Sequence, residues 1–379
     1  MNSLDKNYQN LLSEILNDGT IKMDRTGTGT ISVFGKQLIH DMSEGFPLLT
    51  TKKMFFKGVV TELLWFLRGN TNVKFLIDNN CNIWNGDLYK NYCKIFDNKV
   101  PFVKDEVDIK LTKEEFVNRL KNNQNFLNEF GDLGPVYGKQ WRRWTSIEKL
   151  LKINEQGSVT EIYQEFEIDQ IKKIFTQLED NPDDRRMIVN SWNISDIQNM
   201  VLPPCHYSFQ IYTQKIDLKK RINIWNKSST IEEQVLEEFN KKSDEEKHIY
   251  LDEYTNVKSR EISLLWNQRS VDTFLGLPFN LASYGLLLNI LAQVFDMVPK
   301  KLIANLGDTH LYLNHIDQAK EQITRQPYEL CNLKIKDNDW IGFTQKENNF
   351  DQFINSLKIE DFIIENYICH QTIKGELSN

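Results

Sequence analysis

Cysteine is scarce and scattered. Five occur among 379 residues, at Cys81, Cys93, Cys205, Cys331 and Cys369, an odd number with no CxxC pair. That spacing argues against a disulfide framework and against a cysteine-based structural zinc site. It fits a reducing compartment, so a cytoplasmic protein is expected. No basic start followed by an apolar run opens the first 20 residues, so no secretory leader is expected. No run of about 18 apolar residues suggests a membrane span. Positive charge is short as well: 46 Lys+Arg against 53 Asp+Glu leave a net charge of −7. An acidic chain makes obligatory nucleic-acid binding a poor expectation, although it leaves a local phosphate pocket open. Glycine and proline number only 17 and 9, and neither internal repeats nor a low-complexity linker is visible. With no metal-ligand pattern, chemistry has to come from side chains, with or without an organic cofactor.

What is present is core-forming material: 40% hydrophobic residues, 11% aromatic. The run YQNLLSEILNDG (8–19) has helical spacing and stops at Gly19. TISVFGKQLIHD (30–41) alternates like a strand pair. GVVTELLWFLRG (58–69) is an apolar helix with one acid, Glu62, inside it. FNLASYGLLLNILAQVF (279–295) is apolar on nearly every face and is expected to be a central buried helix. Three stretches read as insertions: 88–130, 145–168 and the polar, acidic 227–258, the last an elaborated hairpin connection with a solvated helix. Motifs are spread over the whole length, so one mixed α/β (α+β) domain, 1–379, with insertions is expected rather than two domains.

The stretch LPPCH (202–206) places two prolines directly before Cys205 and His206. Taken alone, a lone cysteine is usually a small buried residue. The prolines restrict the backbone and suit a side chain held in place. His206, the next residue on a strand, points to the other face and is a poor activating base. A thiolate needs another positive or donor-rich neighbour. NQRSVDTFLGLPFN (267–280) concentrates Gln268, Arg269, Ser270, Asp272, Gly276 and Asn280. Arg25 beside a Gly/Thr turn, and Arg185 with Arg186 before another strand, add three more arginines at loop–strand junctions. Together with Arg269 they suggest a phosphorylated small substrate. In LGDTHLYLNH (306–315), an extended backbone puts Asp308, His310 and Tyr312 on one face.

These residues carry a resemblance. DRTGTGT, ELLWFLRGNTN, GDLGPVYGKQWR, DRRMIVNSWN, LPPCH, QRSVDTFLGLPFNLASY and GDTHLYLNH resemble, in family order from about residue 7 to 334, the thymidylate synthases and the related phage-type pyrimidine hydroxymethylases. The resemblance implies a large mixed sheet with surrounding helices, and a homodimer packed sheet against sheet. It implies covalent catalysis on a pyrimidine nucleotide, with 5,10-methylenetetrahydrofolate as co-substrate and no metal. Cys205 would attack C6 of the base, splitting one difficult substitution into easier steps. Arg25 and Arg269 would bind the phosphate with Ser270, and Arg185 and Arg186 would reach it from the partner subunit. Arg269 would also activate the thiol. Glu62 would relay protons and Tyr137 would assist proton removal from C5. His310 and Tyr312 would hold the deoxyribose hydroxyl, with His206 and Gln268 also on the substrate side. Asp272, Gly276 and Trp84 would line the folate, and Lys52 would meet its glutamate tail. Asn280 would read uracil, because a carboxamide supplies an acceptor and a donor for N3–H and O4.

Two departures from the synthase pattern point to one step. IWNGDLYK keeps Trp84 but has Asp87 where a second tryptophan is usual, and the chain ends in GELSN instead of an apolar close. Phe55 is a smaller departure, at a position where many synthases have a basic or polar folate contact. A loosened lid would admit water to the methylene intermediate at C5. The expectation is therefore a dUMP hydroxymethylase making 5-hydroxymethyl-dUMP, which would suit a phage enzyme working in host cytoplasm. The alternatives are a thymidylate synthase making dTMP and dihydrofolate, and a non-catalytic nucleotide- or RNA-binding regulator.

Overall fold

The structure, a computed structural model, describes residues 2–24, 26–99, 110–153, 159–228, 231–336 and 349–377. Ten strands lie among them: β1 (Thr20–Lys22), β2 (Thr30–Asp41), β3 (Trp144–Ile153), β4 (Val159–Ile168), β5 (Ile188–Asn190), β6 (His206–Lys215), β7 (Arg260–Asp272), β8 (Val298–Tyr312), β9 (Asn332–Ile335) and β10 (Phe362–Glu365). Six of them form the main sheet in the order β1-β2-β8-β7-β6-β5. Every pairing in it is antiparallel except β7 with β8.

A parallel pair needs a crossover, and here it is the helix Gly276–Val294. This is the apolar run 279–295, and its side chains from Leu281 to Leu288 are all buried. Among the described residues it alone is long and apolar enough to cross a membrane, yet 78% of it is buried inside the protein. It packs on the sheet beside the helix Phe56–Leu67, which is buried from Gly58 to Leu67 and so carries Glu62 into the interior. Asn2 caps the first helix, Ser3–Asp18, and Gly19 ends it.

The sheet has one buried face and one open face. On β7, Ile262, Leu264, Trp266 and Gln268 point inward. The alternate residues face out, where a polar row crosses four strands. Gln37 donates to Asn305 (2.8 Å), Asn305 to Asn267 (3.0 Å) and Asn267 to Ser208 (3.1 Å). Beside this row Tyr212 and Ile39 are exposed apolar side chains.

Two expectations are corrected. Residues 30–41 form one strand, not a pair: Gly35, at φ +73°, absorbs the distortion that reads as a turn, and β2 stays registered to β8 on both sides of it. The polar stretch 227–258 does connect the antiparallel β6 and β7, but as part of a three-helix unit that starts earlier, at Leu218: helices Leu218–Ser228, Glu233–Asn240 and Asp244–Tyr254. That unit has its own small core of Trp225, Phe239, Leu251 and Val257. Within it Arg221 is buried, bonded to Asp252 and to the Val257 carbonyl. The stretch 145–168 is the β3–β4 hairpin. The described part of 88–130 is helical.

Candidate active site

The peptide of Cys205 is held from both sides. Its N–H donates to the Tyr137 hydroxyl (2.8 Å), and its carbonyl accepts from the Arg269 N–H (2.8 Å). The Arg269 guanidinium reaches back to the two residues before it, with Nε on the Pro204 carbonyl (2.9 Å) and an Nη on the Pro203 carbonyl (3.0 Å). Two prolines present acceptors without competing N–H groups and fix φ, so the arginine grips a rigid edge. Trp192 supports the guanidinium at 5.2 Å. Cys205 itself is partly buried and forms no disulfide.

Behind the thiol lies an aromatic stack. His206 stacks on Tyr137 (4.3 Å between centroids), and its Nδ1 meets the Tyr284 hydroxyl at 2.8 Å. Burial pushes the His206 imidazole down to about 3, so it is neutral. Burial drives the Tyr137 phenol well above its ordinary value, and the charges at Cys205 and Tyr284 add to the shift. Trp84 meets Tyr137 edge-on at 6.0 Å and donates its indole N–H to Glu62 at 2.9 Å. Burial raises the Glu62 carboxyl to about 7, against the pull of that hydrogen bond. A carboxyl at this value exchanges protons at neutral pH.

The raised value has a stability consequence. The unfolded chain ionises Glu62 near its ordinary 4.5, while the folded chain keeps the proton to about 7. Between those values the folded state binds the extra proton, so stability falls as pH rises from 4.5 and the loss is complete above 7. Glu62→Gln keeps an oxygen for Trp84 and removes the ionisation. Relative to wild type it is expected to gain on the order of 3 kcal/mol between pH 4.5 and 8. Urea unfolding at both ends of the range checks this; an unchanged difference would mean the carboxylate is not desolvated.

A relay of amides sets Asn280. Trp266 donates to Gln268 Oε1 (3.2 Å), and Gln268 Nε2 donates to the Ser270 carbonyl (3.1 Å) and to Asn280 Oδ1 (3.1 Å). Gly276 stands between Asp272 and Asn280: a methyl there would lie 3.4 Å from Asp272 Cβ and 4.0 Å from Asn280 Oδ1. Asp272 Oδ1 accepts from the amides of Phe274 (3.1 Å) and Leu275 (3.0 Å) at the start of the helix. The parallel register sets Asp272 opposite His310 and Ser270 opposite Asp308. His310 Nδ1 lies 3.2 Å from Asp308 Oδ1, and its ring meets Tyr312 edge-on at 5.2 Å.

Four positions stand apart. Arg25 lies outside the described residues. Arg185 and Arg186 are exposed on the turn before β5. Lys52 is buried, bonded to the Phe274 carbonyl, with its ammonium 3.8 Å from the Phe274 ring. Burial lowers it to about 7; Asp272 opposes that shift and Arg325 adds to it. Reading the sequence missed Tyr284, Trp266 and Trp192. Tyr284 was findable, since it follows Asn280 by four residues and so shares its helix face.

A thiol fixed through its own peptide lies beside Tyr137, Trp84 and a carboxyl that burial raises to about 7, a grouping of titratable side chains that fits an enzyme site. Comparison with known proteins narrows that class: the chain belongs to the thymidylate synthase family, whose profile matches residues 6–379. It is therefore an enzyme of that family, a C5 one-carbon transferase. It is 38% identical over 375 residues to the thymidylate synthase of Mesoplasma florum, covering 98% of this chain and 99% of that one. It is 37% identical over 373 residues to that of Malacoplasma penetrans, with coverage of 98% and 99%. With the Listeria innocua thymidylate synthase it shares 37% over 343 residues, 88% of this chain and 90% of the relative.

These relatives overturn the hydroxymethylase expectation, and they lend no support to a phage source. The physical reason lies in how the two departures are built. Trp84 is buried and bonded to Glu62, so that wall stands whatever occupies position 87. The tail is seated through main-chain carbonyls: Gln371 accepts from Arg325 (2.7 Å), Lys374 from Gln318 (3.4 Å) and Glu376 from His315 (2.8 Å). Such bonds are blind to the replacement of apolar side chains by GELSN.

Proposed function

We propose that the protein converts dUMP and 5,10-methylenetetrahydrofolate to dTMP and dihydrofolate. The observation carrying this reading is the Cys205 peptide clamped between Tyr137 and Arg269, beside Trp84 on Glu62. Near-complete alignment to relatives named thymidylate synthase supports it. When bound, the folate supplies both the one-carbon unit and the hydride that reduces it.

The chain's own groups do the rest. The Cys205 sulfur adds to C6 of uracil, and the displaced electron pair moves through C5 toward O4. The Glu62 carboxyl, poised near 7, delivers a proton toward O4 and later takes one back. Tyr137, held protonated by burial, orders the groups that receive the C5 proton. Loss of the sulfur from C6 restores the ring and frees the thiol. Asn280 reads the N3–H and O4 edge. Its Oδ1 accepts from Gln268, which leaves the second lone pair for N3–H and the amide N–H for O4.

A pterin edge offers several N–H donors, and Asp272 brings a carboxylate to that wall, next to the small Gly276. A cavity of about 680 Å³ opens beside Leu275 and the tail residues 372–376, roomy enough for a ligand of that size. Asp272, Gly276 and Trp84 would hold the folate. Arg269 and Ser270 would hold the phosphate, with His310 and Tyr312 at the sugar. The open sheet face, with its polar row and exposed Tyr212 and Ile39, supports a sheet-to-sheet homodimer. In that dimer the exposed Arg185 and Arg186 would complete the partner's phosphate site.

The test is product analysis with dUMP and methylenetetrahydrofolate. Equal amounts of dTMP and dihydrofolate are expected. Release of the C5 proton with no dihydrofolate would overturn the reading, as would dUMP binding with no turnover.

A further inference from the structure

The described chain ends against the edge of the site, and its last anchor is a buried histidine. His315 is fully buried, yet its Nε2 lies 2.8 Å from the carbonyl of Glu376 in the tail. A carbonyl only accepts, so Nε2 carries the hydrogen. Nδ1 has no hydrogen-bond partner among the described residues. The ring is set by Phe274 (5.1 Å between centroids) and, edge-on, by Tyr312 (6.0 Å). Gly375 lies on the His315 and Phe274 rings: a Cβ there would stand 3.0 Å from His315 Nε2 and 3.0 Å from Phe274 Cε1. Phe274 follows Asp272 by two residues, and Tyr312 follows His310 by two. The tail is thus seated on residues just beyond the ends of β7 and β8, and with Leu275, Asn314 and Gln318 it walls the 680 Å³ cavity.

We propose that His315 is a positioning residue: an Nε2–H donor that holds residues 372–376 as the outer wall of the cavity beside Leu275. This rests on the synthase reading, in which that cavity takes the folate. A buried core histidine with an incidental tail contact would not need its donor, and Gly375 would not need to be small.

Three variants separate the cases. His315→Leu keeps the bulk and loses the donor. His315→Gln restores an N–H at similar reach. Gly375→Val leaves the interior untouched and crowds the seat. The first readout is amide hydrogen exchange across residues 371–377, which is independent of activity. His315→Leu and Gly375→Val are expected to raise it about tenfold, the scale of one lost hydrogen bond, and His315→Gln to bring it back near wild type. The second readout is kinetic: in the first two variants the KM for methylenetetrahydrofolate rises about tenfold while dUMP affinity stays within twofold. Unchanged tail exchange in both His315→Leu and Gly375→Val would overturn the proposal. So would a His315→Gln variant as impaired as His315→Leu. If wild type makes no dTMP, the synthase reading fails, and the exchange measurement still decides the anchor.

Discussion

Cys205→Ser is expected to lower kcat at least about 10⁴-fold while dUMP binds with near-normal affinity. The loss is large because His206, the residue beside it, is unable to activate a hydroxyl. His206 adjoins it in sequence, but its Nδ1 is engaged by Tyr284, its ring is stacked on Tyr137, and burial lowers it to about 3. Arg269 uses Nε and one Nη on the Pro204 and Pro203 carbonyls, and its always-charged guanidinium donates protons to hydrogen bonds rather than accepting one. A thiol ionises readily enough to act without a dedicated base; a serine hydroxyl does not. Binding survives because the grip on this residue is through its peptide, from Tyr137 and from the Arg269 N–H, and the substitution leaves both intact. Steady-state kinetics together with calorimetric titration of dUMP check the two halves. Turnover within tenfold of wild type would refute the nucleophile assignment. A large loss of dUMP affinity would mean that the sulfur contributes to ground-state binding.

The same loop shows what a sequence can and cannot convey. The prolines before Cys205 signalled a fixed backbone, and the helix stops at Gly19 and Gly69 were readable because they follow local rules. The buried helix after β7 was readable from its continuous apolar face. Contacts between distant segments left weaker marks. Nothing local announces that Gln37, Asn305, Asn267 and Ser208 align across four strands, since that row depends on register. Gly35 looked like a turn because the partner that keeps β2 straight lies some 270 residues away. The tail misled most. Its last side chains were read as a loosened lid, whereas Ile373 packs into the core and three tail carbonyls accept hydrogen bonds, which every residue type can do. Residue identity therefore said little about whether the lid closes.

Asn280→Asp is expected to move the preference between dUMP and dCMP by about 10³-fold or more in the ratio of kcat/KM values. The size follows from matching donors and acceptors on the base edge. Uracil offers a donor at N3 and an acceptor at O4, while cytosine offers an acceptor at N3 and a donor at N4. A site that matches one edge leaves the other with two unpaired polar contacts. Asn280 cannot turn its amide over to suit cytosine, because Gln268 Nε2 donates to its Oδ1, and Gln268 is itself oriented by Trp266 and the Ser270 carbonyl. An aspartate at 280 keeps an oxygen for Gln268. A carboxylate repels the O4 edge and accepts from the N4 amino group; if protonated, it also donates to N3. The relay that enforces uracil in the wild type would then enforce cytosine in the variant. Competition between the two nucleotides, read as kcat/KM for each, decides it. Discrimination that stays at the wild-type value would mean the base edge is read elsewhere, and the Trp266–Gln268–Asn280 relay would be a packing feature only.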